Sequence, residues 1–281
     1  MTDHSTNTST SPMAIELRDV TVDFDDLKAL DNVSLQVAHG EMVVVTGTSG
    51  SGKTVLVHVI VGFIKPTTGQ VLVEGNHVES LSERELLSLL SSTVGLVFQE
   101  DALFSGLSTY DNAAFRLVEH DWPADRVDSA VKEILTFVGL EDDADKLPEE
   151  LSIGMRRRLE IARALIGWPR VMLFDEPTAG LDPLNARRIL DLLIRARDVH
   201  GIASIVVTKE MHEIPYLADH VALRGDDGNV TVRVREPDAP PRARVMLLDA
   251  GSVRYEGDVE VFFHSHDPAI AEMTGIQENE T

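Results

Sequence analysis

The segment GTSGSGKT, at residues 47–54, restricts the possible fold of this chain more than any other stretch, because it lies between the apolar run VVVT and the helical run TVLVHVIVGF. It matches the pattern G-x-x-x-x-G-K-[ST], in which glycines allow backbone amides to wrap a chain of phosphates at the start of a helix. In this pattern Lys53 reaches the β- and γ-phosphates, and the hydroxyl of Thr54 ligates Mg²⁺. A glycine-rich turn is the simpler alternative, but the flanking runs favour a nucleotide-binding loop. The residues assigned to this loop are Gly47, Thr48, Ser49, Gly50, Ser51, Gly52, Lys53 and Thr54.

Four apolar runs share one layout, because each of them ends in a glycine or in polar residues. They are VVVTG (43–47), VGLVFQ (94–99), VMLFDE (171–176) and SIVVTK (204–209). Apolar strands separated by helical patterns predict a parallel α/β sheet, whose ligands lie outside the carboxyl ends of the strands. Any one run fits an ordinary core strand and loop, but the four together predict a shared crevice. The residues expected to border this crevice are Gly47, Gln99, Asp175, Glu176 and Lys209.

The third run ends in two adjacent carboxylates, Asp175 and Glu176. In phosphate-loop proteins an aspartate at this point helps to hold Mg²⁺, which suits Asp175. Glu176 is then expected to point toward the γ-phosphate, where a carboxylate can orient or deprotonate the attacking water. An acidic turn without a chemical role is the alternative, and the phosphate loop upstream argues against it.

Residues 100–170 contain no comparable apolar run, and their patterns are helical. RVDSAVKEILTFVGL (126–140) and MRRRLEIARALI (155–166) both have apolar residues at helical spacing. We therefore predict a helical subdomain over roughly 100–165, inserted into the α/β core. Ser152 stands where an N-cap would precede the second helix, and the free amides of a helix start can bind an anion. A capped surface helix with a basic first turn is the alternative.

The chain changes character after the fourth run. RGDDGNVTVRVREPDAPPRAR (224–244) alternates valine with polar residues and then becomes rich in proline and aspartate, which predicts an exposed hairpin or loop inserted at about 225–244. VMLLDAGSVRYEGDVEVFF (245–263) predicts a hairpin followed by a helix.

Composition excludes several classes of protein. The 281 residues include 47 acidic and 25 basic ones, for a net charge of -22, which argues against nucleic acid as a partner and indicates a solvated acidic surface. The chain has no cysteine, which excludes disulfides and thiol chemistry. Its longest apolar stretch, 55–64, is half the ~20 residues of a membrane-spanning helix. Residues 1–12 lack the apolar core of a signal peptide, and we expect a disordered tail on a cytosolic protein.

Taken in order, the motifs resemble those of the ATP-binding subunits of ABC transporters, from about residue 14 to residue 265. The matching motifs are the Walker A motif GTSGSGKT, the Q-loop glutamine Gln99, the signature LSIGM (151–155), the Walker B motif VMLFDE and the D-loop AGLD (179–182). The resemblance implies an α/β P-loop NTPase fold with a mostly parallel core sheet, an antiparallel β subdomain and an inserted helical subdomain. The ATPase domain would span 13–265, followed by a C-terminal tail at 266–281.

The resemblance also implies the ligands and partners. Phe24 falls where the family stacks an aromatic ring on adenine, and Gln99 would join Thr54 and Asp175 as a ligand of Mg²⁺. Two copies of the chain would form a head-to-tail homodimer with two ATP molecules between them. Residues Ser152 and Gly154 would contact the γ-phosphate held by the other copy, and Asp182 would lie across the interface. Transmembrane permease subunits would bind the dimer, on the cytoplasmic face of the cell membrane.

A narrower resemblance is to the MlaF-type ATPases of phospholipid transporters, which work with MCE-domain substrate-binding proteins. It is based on VFQEDALFSGLSTYDNAAFRL (97–117) and on Met155, the last residue of the signature. It implies a lipid or another hydrophobic substrate. An importer ATPase for a different substrate is the alternative.

Two residues depart from the family pattern. Lys209 occupies the place of a histidine that bonds the γ-phosphate, and lysine has three donors but no acceptor. Ile153 replaces a glycine of the signature, and a β-branched residue disfavours a positive φ angle. One hypothesis is slower hydrolysis, with Glu176 as the base and Lys209 as a clamp on the phosphate. Another is an ATP-gated regulatory subunit with little turnover. A soluble ABC ATPase of DNA repair or translation is a third reading, disfavoured by the single cassette and the absence of cysteine.

Overall fold

The structure, a computed structural model, describes residues 13–25, 27–99 and 102–274. In these ranges the strands are β1 (Ile15–Phe24), β2 (Leu27–Val37), β3 (Met42–Thr46), β4 (Thr68–Val73), β5 (Asn76–His77), β6 (Val94–Val97), β7 (Val171–Asp175), β8 (Ala203–Val207), β9 (His220–Arg224), β10 (Val230–Val234), β11 (Ala243–Asp249) and β12 (Ser252–Gly257). The α-helices are α1 (Lys53–Ile60), α2 (Glu83–Thr93), α3 (Thr109–Glu119), α4 (Ala124–Val138), α5 (Ile153–Leu165), α6 (Pro183–His200), α7 (Glu213–Asp219), α8 (Val259–Phe263) and α9 (Pro268–Thr274).

The central sheet has six strands in the order β12-β11-β3-β8-β7-β6. The strands from β11 to β6 are parallel to one another, and β12 is antiparallel to β11. Strands β3, β7 and β8 are buried along their whole length. Burial on both faces explains why the sequence shows them as continuous apolar runs. The mostly parallel core sheet predicted from the sequence is confirmed.

The hairpin predicted over 245–263 is formed by β11 and β12 and is followed by α8. Strand β11 has a second role, because it also pairs in parallel with β3, with Val245 opposite Val44. The apolar run VMLL is therefore a fifth parallel strand. The sequence alone does not distinguish this role from a simple hairpin, because its pairing partner lies about 200 residues earlier in the chain.

Two separate cores cover the two faces of the central sheet. Val43 and Val45 of β3 face a core shared with α1 and with the antiparallel sheet β2-β1-β4-β5. Met42 and Val44 face a core shared with α3 to α6. Successive side chains of a strand point to opposite faces, so one strand serves both cores. The antiparallel β subdomain implied by the family resemblance is present.

Helices α3, α4 and α5 lie between β6 and β7 and contribute to a common core, which includes Leu117, Val131 and Leu159. They correspond to the predicted helical subdomain. The helices predicted over 126–140 and 155–166 are α4 and α5, and each begins two residues earlier than predicted. Helix α5 begins where Ser152 accepts a hydrogen bond from the Met155 amide at 3.2 Å, which is the N-cap expected from the sequence.

The segment after β8 contains a two-stranded sheet formed by β9 and β10. Its turn is closed by a 2.8 Å bond from the Gly225 amide to the Asn229 carbonyl. The hairpin runs from His220 to Val234, so it begins before the predicted insertion at about 225–244 and ends before it as well. The alternation of valine and polar residues corresponds to half-buried Val230 and Val232, which pack on the core.

At the carboxyl end, α9 lies beyond residue 265, where the sequence predicts that a tail begins, and its Ile270 is buried. The folded part of the chain therefore extends past the predicted boundary. The tail predicted over 1–12 lies outside the described residues. None of the helices in the described ranges combines the length and the apolar composition needed to cross a lipid bilayer.

Candidate nucleotide site

The loop predicted to bind phosphates connects β3 to α1, at the carboxyl edge of the central sheet. Gly52 has a φ angle of 104°, and a Cβ atom there would lie 2.4 Å from the Ala29 carbonyl oxygen. A Cβ atom at Gly47 would lie 2.2 Å from the Leu248 carbonyl oxygen. Neither position has room for a side chain, because backbone of β2 and β11 approaches the loop there. Gly47 and Gly52 are thus explained by packing as well as by conformation.

Lys53 is the first residue of α1, and its side chain folds back over the loop. Its Nζ donates hydrogen bonds to the carbonyl oxygens of Gly47 at 2.8 Å and Thr48 at 2.7 Å. Burial lowers the pKa of Lys53, the positive charge of Lys209 lowers it further, and the carboxylates of Glu176 and Asp175 oppose both effects. The ammonium group is therefore held at the loop in an environment that favours an added negative charge, such as a phosphate.

Asp175, the last residue of β7, is almost fully buried beside Thr54. Its Oδ1 atom has no hydrogen-bond partner in the described part of the chain. Burial raises the pKa of Asp175, and the neighbouring Glu176 adds to this, whereas a hydrogen bond with Thr54 acts in the opposite direction. A buried carboxylate oxygen without a partner is costly unless another group binds it. The oxygens of Asp175 and Thr54 fit Mg²⁺, because this hard cation prefers oxygen ligands.

Glu176 lies where three strand ends meet, and both of its carboxylate oxygens have donors. Lys209 Nζ lies 2.6 Å from Oε1, and Gln99 Nε2 donates to Oε2 at 3.4 Å. The Glu176 backbone has a φ angle of 50°, which costs about 1–3 kcal/mol for a residue other than glycine and is typical of functional sites. Gln99, Glu176 and Lys209, which follow three separate strands, are therefore in contact. This agrees with the prediction that these strand ends border one crevice.

Lys209, for which one hypothesis from the sequence is a clamp on the phosphate, forms an ion pair with Glu176 in the structure. The Nε2 group of Gln99, which is predicted to share a metal ion with Asp175 and Thr54, donates to Glu176.

The signature and D-loop residues form a second cluster. Asp182 caps α6 by accepting hydrogen bonds from the amides of Leu184 at 3.0 Å and Asn185 at 3.1 Å. A Cβ atom at Gly154 would lie 2.6 Å from the Asn185 side chain, so the start of α5 packs closely on the start of α6. Among the described residues, no hydrogen bond or ion pair joins Ser152, Gly154 or Asp182 to the phosphate loop.

Ile153 is the first residue of α5 and is not among the positive-φ residues. The backbone at this position therefore does not require glycine. Its side chain is 61% exposed. Any steric clash that isoleucine causes would therefore involve a molecule that contacts the start of α5.

Phe24 lies at the end of β1, paired with Leu27 at the start of β2, and its ring is 45% exposed. An exposed ring is available for stacking on a flat ligand.

The structure adds residues that the sequence did not single out. Arg157 of α5 donates to the carbonyl oxygens of Phe98 at 3.0 Å and Gln99 at 3.2 Å, which ties the signature helix to the Q-loop. Thr208 donates to the buried Glu213 at 2.7 Å and accepts from the Glu210 amide, which fixes the backbone around Lys209. A run of three arginines at 156–158 is visible in the sequence, but helical periodicity alone does not tell which of them faces Gln99.

Comparison with known proteins agrees with this geometry. The family model described as ABC transporter matches residues 30–179. The "Methionine import ATP-binding protein MetN" of Carboxydothermus hydrogenoformans is 40% identical over 204 residues, which cover 73% of this chain and 60% of that protein. Other MetN proteins match at 39% and 38% identity. The chain spans about three fifths of the length of these methionine import proteins.

In two further similar proteins, the match with this chain spans a larger share of the protein's length. The "Intermembrane phospholipid transport system ATP-binding protein MlaF" of Haemophilus influenzae is 38% identical over 213 residues, or 75% of this chain and 80% of that protein. The solved structure of the ATP-binding cassette MJ0796, a dimer in a post-hydrolysis state with ADP and Pi, superimposes with a TM-score of 0.71 at 27% identity and covers 87% of this chain and 98% of that one. The chain therefore belongs to the ABC transporter family, and its fold is that of an ATP-binding cassette.

Proposed function

We propose that the chain binds Mg-ATP at the carboxyl edge of its central sheet and hydrolyses it, as the motor subunit of an ABC transporter. The observation that carries this proposal is the buried, unpartnered Oδ1 atom of Asp175 beside Thr54, with the carboxylate of Glu176 one residue further. A phosphate loop alone accounts for nucleotide binding but not for hydrolysis. The two adjacent carboxylates supply what hydrolysis also needs, a metal ligand in Asp175 and a base in Glu176.

Each residue has a separate task in this mechanism. The loop amides from Gly47 to Thr54 and the ammonium group of Lys53 bind the phosphates, and the ring of Phe24 stacks on adenine. Thr54, Asp175 and Gln99 would hold Mg²⁺, which neutralises phosphate charge when it is bound. Glu176 accepts a proton at a carboxylate oxygen from the water that attacks the γ-phosphate.

We propose a second copy of the chain as the first partner. The surface around the starts of α5 and α6 exposes Ile153 and Leu184, each by more than 60%. It carries Ser152, Gly154 and Asp182, which would complete the nucleotide site of the other copy. The dimeric state of the MJ0796 cassette supports this arrangement.

A transmembrane permease is the proposed second partner. A cavity of about 860 Å³ lies between β6 and the helices α2, α3 and α5, beside the Q-loop. Its lining includes the apolar side chains of Leu87, Phe98, Phe115 and Trp122, and two of them, Leu87 and Trp122, are substantially exposed. A permease segment bound there would hold the motor on the cytoplasmic face of the membrane and would contact the segment that carries Gln99.

For the substrate, we propose a phospholipid or another hydrophobic molecule, moved with an MCE-type partner. Support comes from the resemblance of residues 97–117 to MlaF-type ATPases and from the MlaF relative. Methionine import is a second candidate, because MetN relatives match at up to 40% identity. ATPase stimulation in liposomes that contain the permease distinguishes them, since free methionine with its binding protein should stimulate only an importer.

Calorimetry and ATPase assays on four forms of the chain test the motor function. Wild type should bind Mg-ATP and release phosphate. Glu176→Gln should retain binding, dimerise with ATP and lose about 10²–10⁴-fold in turnover, since it removes the general base. Lys53→Ala should lose binding, and Lys132→Ala, on an exposed face of α4, serves as the matched control.

The outcomes separate the hypotheses. No heat of Mg-ATP binding by wild type contradicts the proposal. Tight binding without turnover, both alone and with the permease present, would instead support the regulatory-subunit hypothesis.

A further inference from the structure

We propose that a cavity of about 250 Å³ between helices α4, α5 and α6 binds a small oxyanion of the phosphate class, either inorganic phosphate or the phosphate group of a small monoester. Arg158 of α5 and Arg188 and Arg195 of α6 line this cavity together. It shares no lining residue with the phosphate loop, and the inference goes beyond the proposed function.

The first argument is the charge around the cavity. Three of the described side chains that line it are arginines, and Asp191 is the one carboxylate among them. Asp191 has other partners, because it accepts a hydrogen bond from the Tyr216 hydroxyl and lies 3.9 Å from Nε of Arg187. The chain as a whole is acidic, with a net charge of -22. A cluster of cations without matching carboxylates is therefore a local exception that favours an added anion.

The second argument is that these cations lie close enough to repel one another. Burial lowers the pKa of Arg158, and the positive charge of Arg188 lowers it further. Asp143 and Glu141 oppose both effects, but neither forms an ion pair with Arg158 in the described ranges. Asp143 pairs instead with Lys146 at 2.6 Å. Arg188 has no hydrogen bond or ion pair with any residue that the structure describes. A bound anion would compensate this repulsion.

The third argument is that the protein holds two of the cations in place. Arg158 Nη1 donates to the carbonyl oxygens of Val138 and Gly139, at 2.6 Å each. Arg195 Nη1 donates to the Phe137 carbonyl oxygen at 3.0 Å. The Nε atoms of both arginines are buried and without a hydrogen-bond partner in the described part of the chain. Carbonyl oxygens carry no formal charge, so both guanidinium groups keep a positive charge that can attract an anion.

The size and the donors of the cavity favour phosphate over larger ligands. A volume of about 250 Å³ is below the ~300–1,000 Å³ of sites for drug-sized molecules. Guanidinium groups form paired hydrogen bonds with phosphate and carboxylate oxygens, and three cations match the multiple charge of phosphate better than the single charge of a carboxylate. Capping of the end of α4 explains Arg158 and Arg195, but it does not explain the exposed Arg188.

An anion bound here would connect three helices. Arg158 lies in the second turn of α5, whose first turn is the signature. Arg188 lies in the second turn of α6, which begins after Asp182. The end of α4 forms the remaining wall. We therefore expect the anion to hold α5 and α6 in a fixed relation and to slow local opening at the end of α4.

Calorimetry with inorganic phosphate on the full chain tests this site. It is carried out on Lys53→Ala, in which the phosphate loop should lose its own affinity for anions, at constant ionic strength set with potassium chloride. Lys53→Ala should bind phosphate. Adding Arg188→Met should weaken this binding by about tenfold or more, as expected for the loss of a charge-assisted hydrogen bond. Adding Arg126→Met, at an exposed position of α4 outside the cavity, should not change it.

Two further measurements locate the site and identify the ligand. Phosphate should slow amide hydrogen exchange in residues 135–140, and this protection should be lost with Arg188→Met. Arg188→Lys should recover only part of the affinity, because an ammonium group keeps the charge but lacks the planar pair of donors. A parallel titration with glycerol 3-phosphate distinguishes the two sources, since the tighter ligand shows whether the site prefers a monoester or the free ion.

Two results would overturn the inference. One is the absence of phosphate binding by folded Lys53→Ala at millimolar concentrations. The other is equal affinity with and without Arg188→Met, which would place the anion elsewhere. If Lys53→Ala does not fold, wild type and Arg188→Met are compared with the nucleotide site saturated by Mg-ADP. Neither result affects the proposed function, which depends on nucleotide binding and turnover by wild type.

Discussion

At the scale of single residues, the phosphate loop shows that glycines in one motif have different reasons to be there. A Cβ atom at Gly52 would meet backbone of β2, whereas a Cβ atom at Gly50 would have nothing within 4 Å. Both residues have positive φ angles, 104° and 79°. Conformation therefore favours glycine at both positions, but packing requires it at Gly52.

This difference gives a prediction for two alanine variants. Gly50→Ala should lower the free energy of unfolding by about 1–2 kcal/mol, the cost of a left-handed conformation. Gly52→Ala should cost about 1–3 kcal/mol more, because the loop or β2 must shift to relieve the contact with the Ala29 carbonyl. Urea unfolding measures both values, and equal losses in the two variants would contradict the packing argument.

At the scale of elements, helix α5 connects two functional segments that are distant in sequence. Its first turn is the signature, and Arg157 in its second turn bonds the carbonyl oxygens of Phe98 and Gln99. Arg163 of the same helix lines the cavity beside β6 and donates to the Ala102 carbonyl. A partner that fills this cavity therefore acts on a helix that carries the signature at its other end.

Arg157→Met should weaken the contact between helix α5 and the Q-loop residues Phe98 and Gln99. It removes the hydrogen bonds to the carbonyl oxygens of Phe98 and Gln99 and also the ion pair with the nearly buried Glu160, which should cost at least about 2 kcal/mol and accelerate amide hydrogen exchange in residues 94–99. Exchange in α4 should not change. Arg126→Met, at an exposed position of α4, is the matched control. Unchanged exchange around Gln99 in Arg157→Met would show that other contacts hold the Q-loop.

At the scale of the whole molecule, the buried guanidinium of Arg197 joins elements that are far apart along the chain. It pairs with Asp198 and donates to the carbonyl oxygens of Leu217 at 2.8 Å, His220 at 2.7 Å and Arg242 at 3.0 Å. These bonds attach α7, the β9–β10 hairpin and the segment before β11 to α6. This buried cation therefore adds to the packing of Val230 and Val232 in holding the hairpin on the core.

Arg197→Met should lower the free energy of unfolding at neutral pH by about 3–5 kcal/mol, because it leaves the Asp198 carboxylate without its buried partner. Arg242→Met is the control, since this arginine also contacts Asp198 but is 44% exposed, and it should cost at most about 1 kcal/mol. Urea unfolding distinguishes the two variants.

The same variant should show a defined pH dependence. Burial alone would raise the pKa of Asp198, but its hydrogen bonds and its attraction to Arg197 outweigh burial and hold the pKa below its ordinary value. A carboxyl group with a lowered pKa stabilises the fold above its unfolded pKa of about 3.9 and loses this effect as the pH falls through the folded value. The stability gap between wild type and Arg197→Met should therefore narrow below about pH 4. A constant gap from pH 7 to pH 3 would contradict the assigned role.

Local sequence patterns determined the elements of this protein and the kinds of residue in its site. The apolar runs ending at Thr46, Asp175 and Val207 form buried strands because burial on both faces requires continuous apolar sequence, and the glycine pattern places a phosphate loop after the first of them. Only the tertiary structure decided which side chains touch. Gln99 and Glu176 are 77 residues apart, and Lys209 meets Glu176 through the register of two strands. A contact of this kind depends on how whole elements pack, and no short window of sequence contains that information.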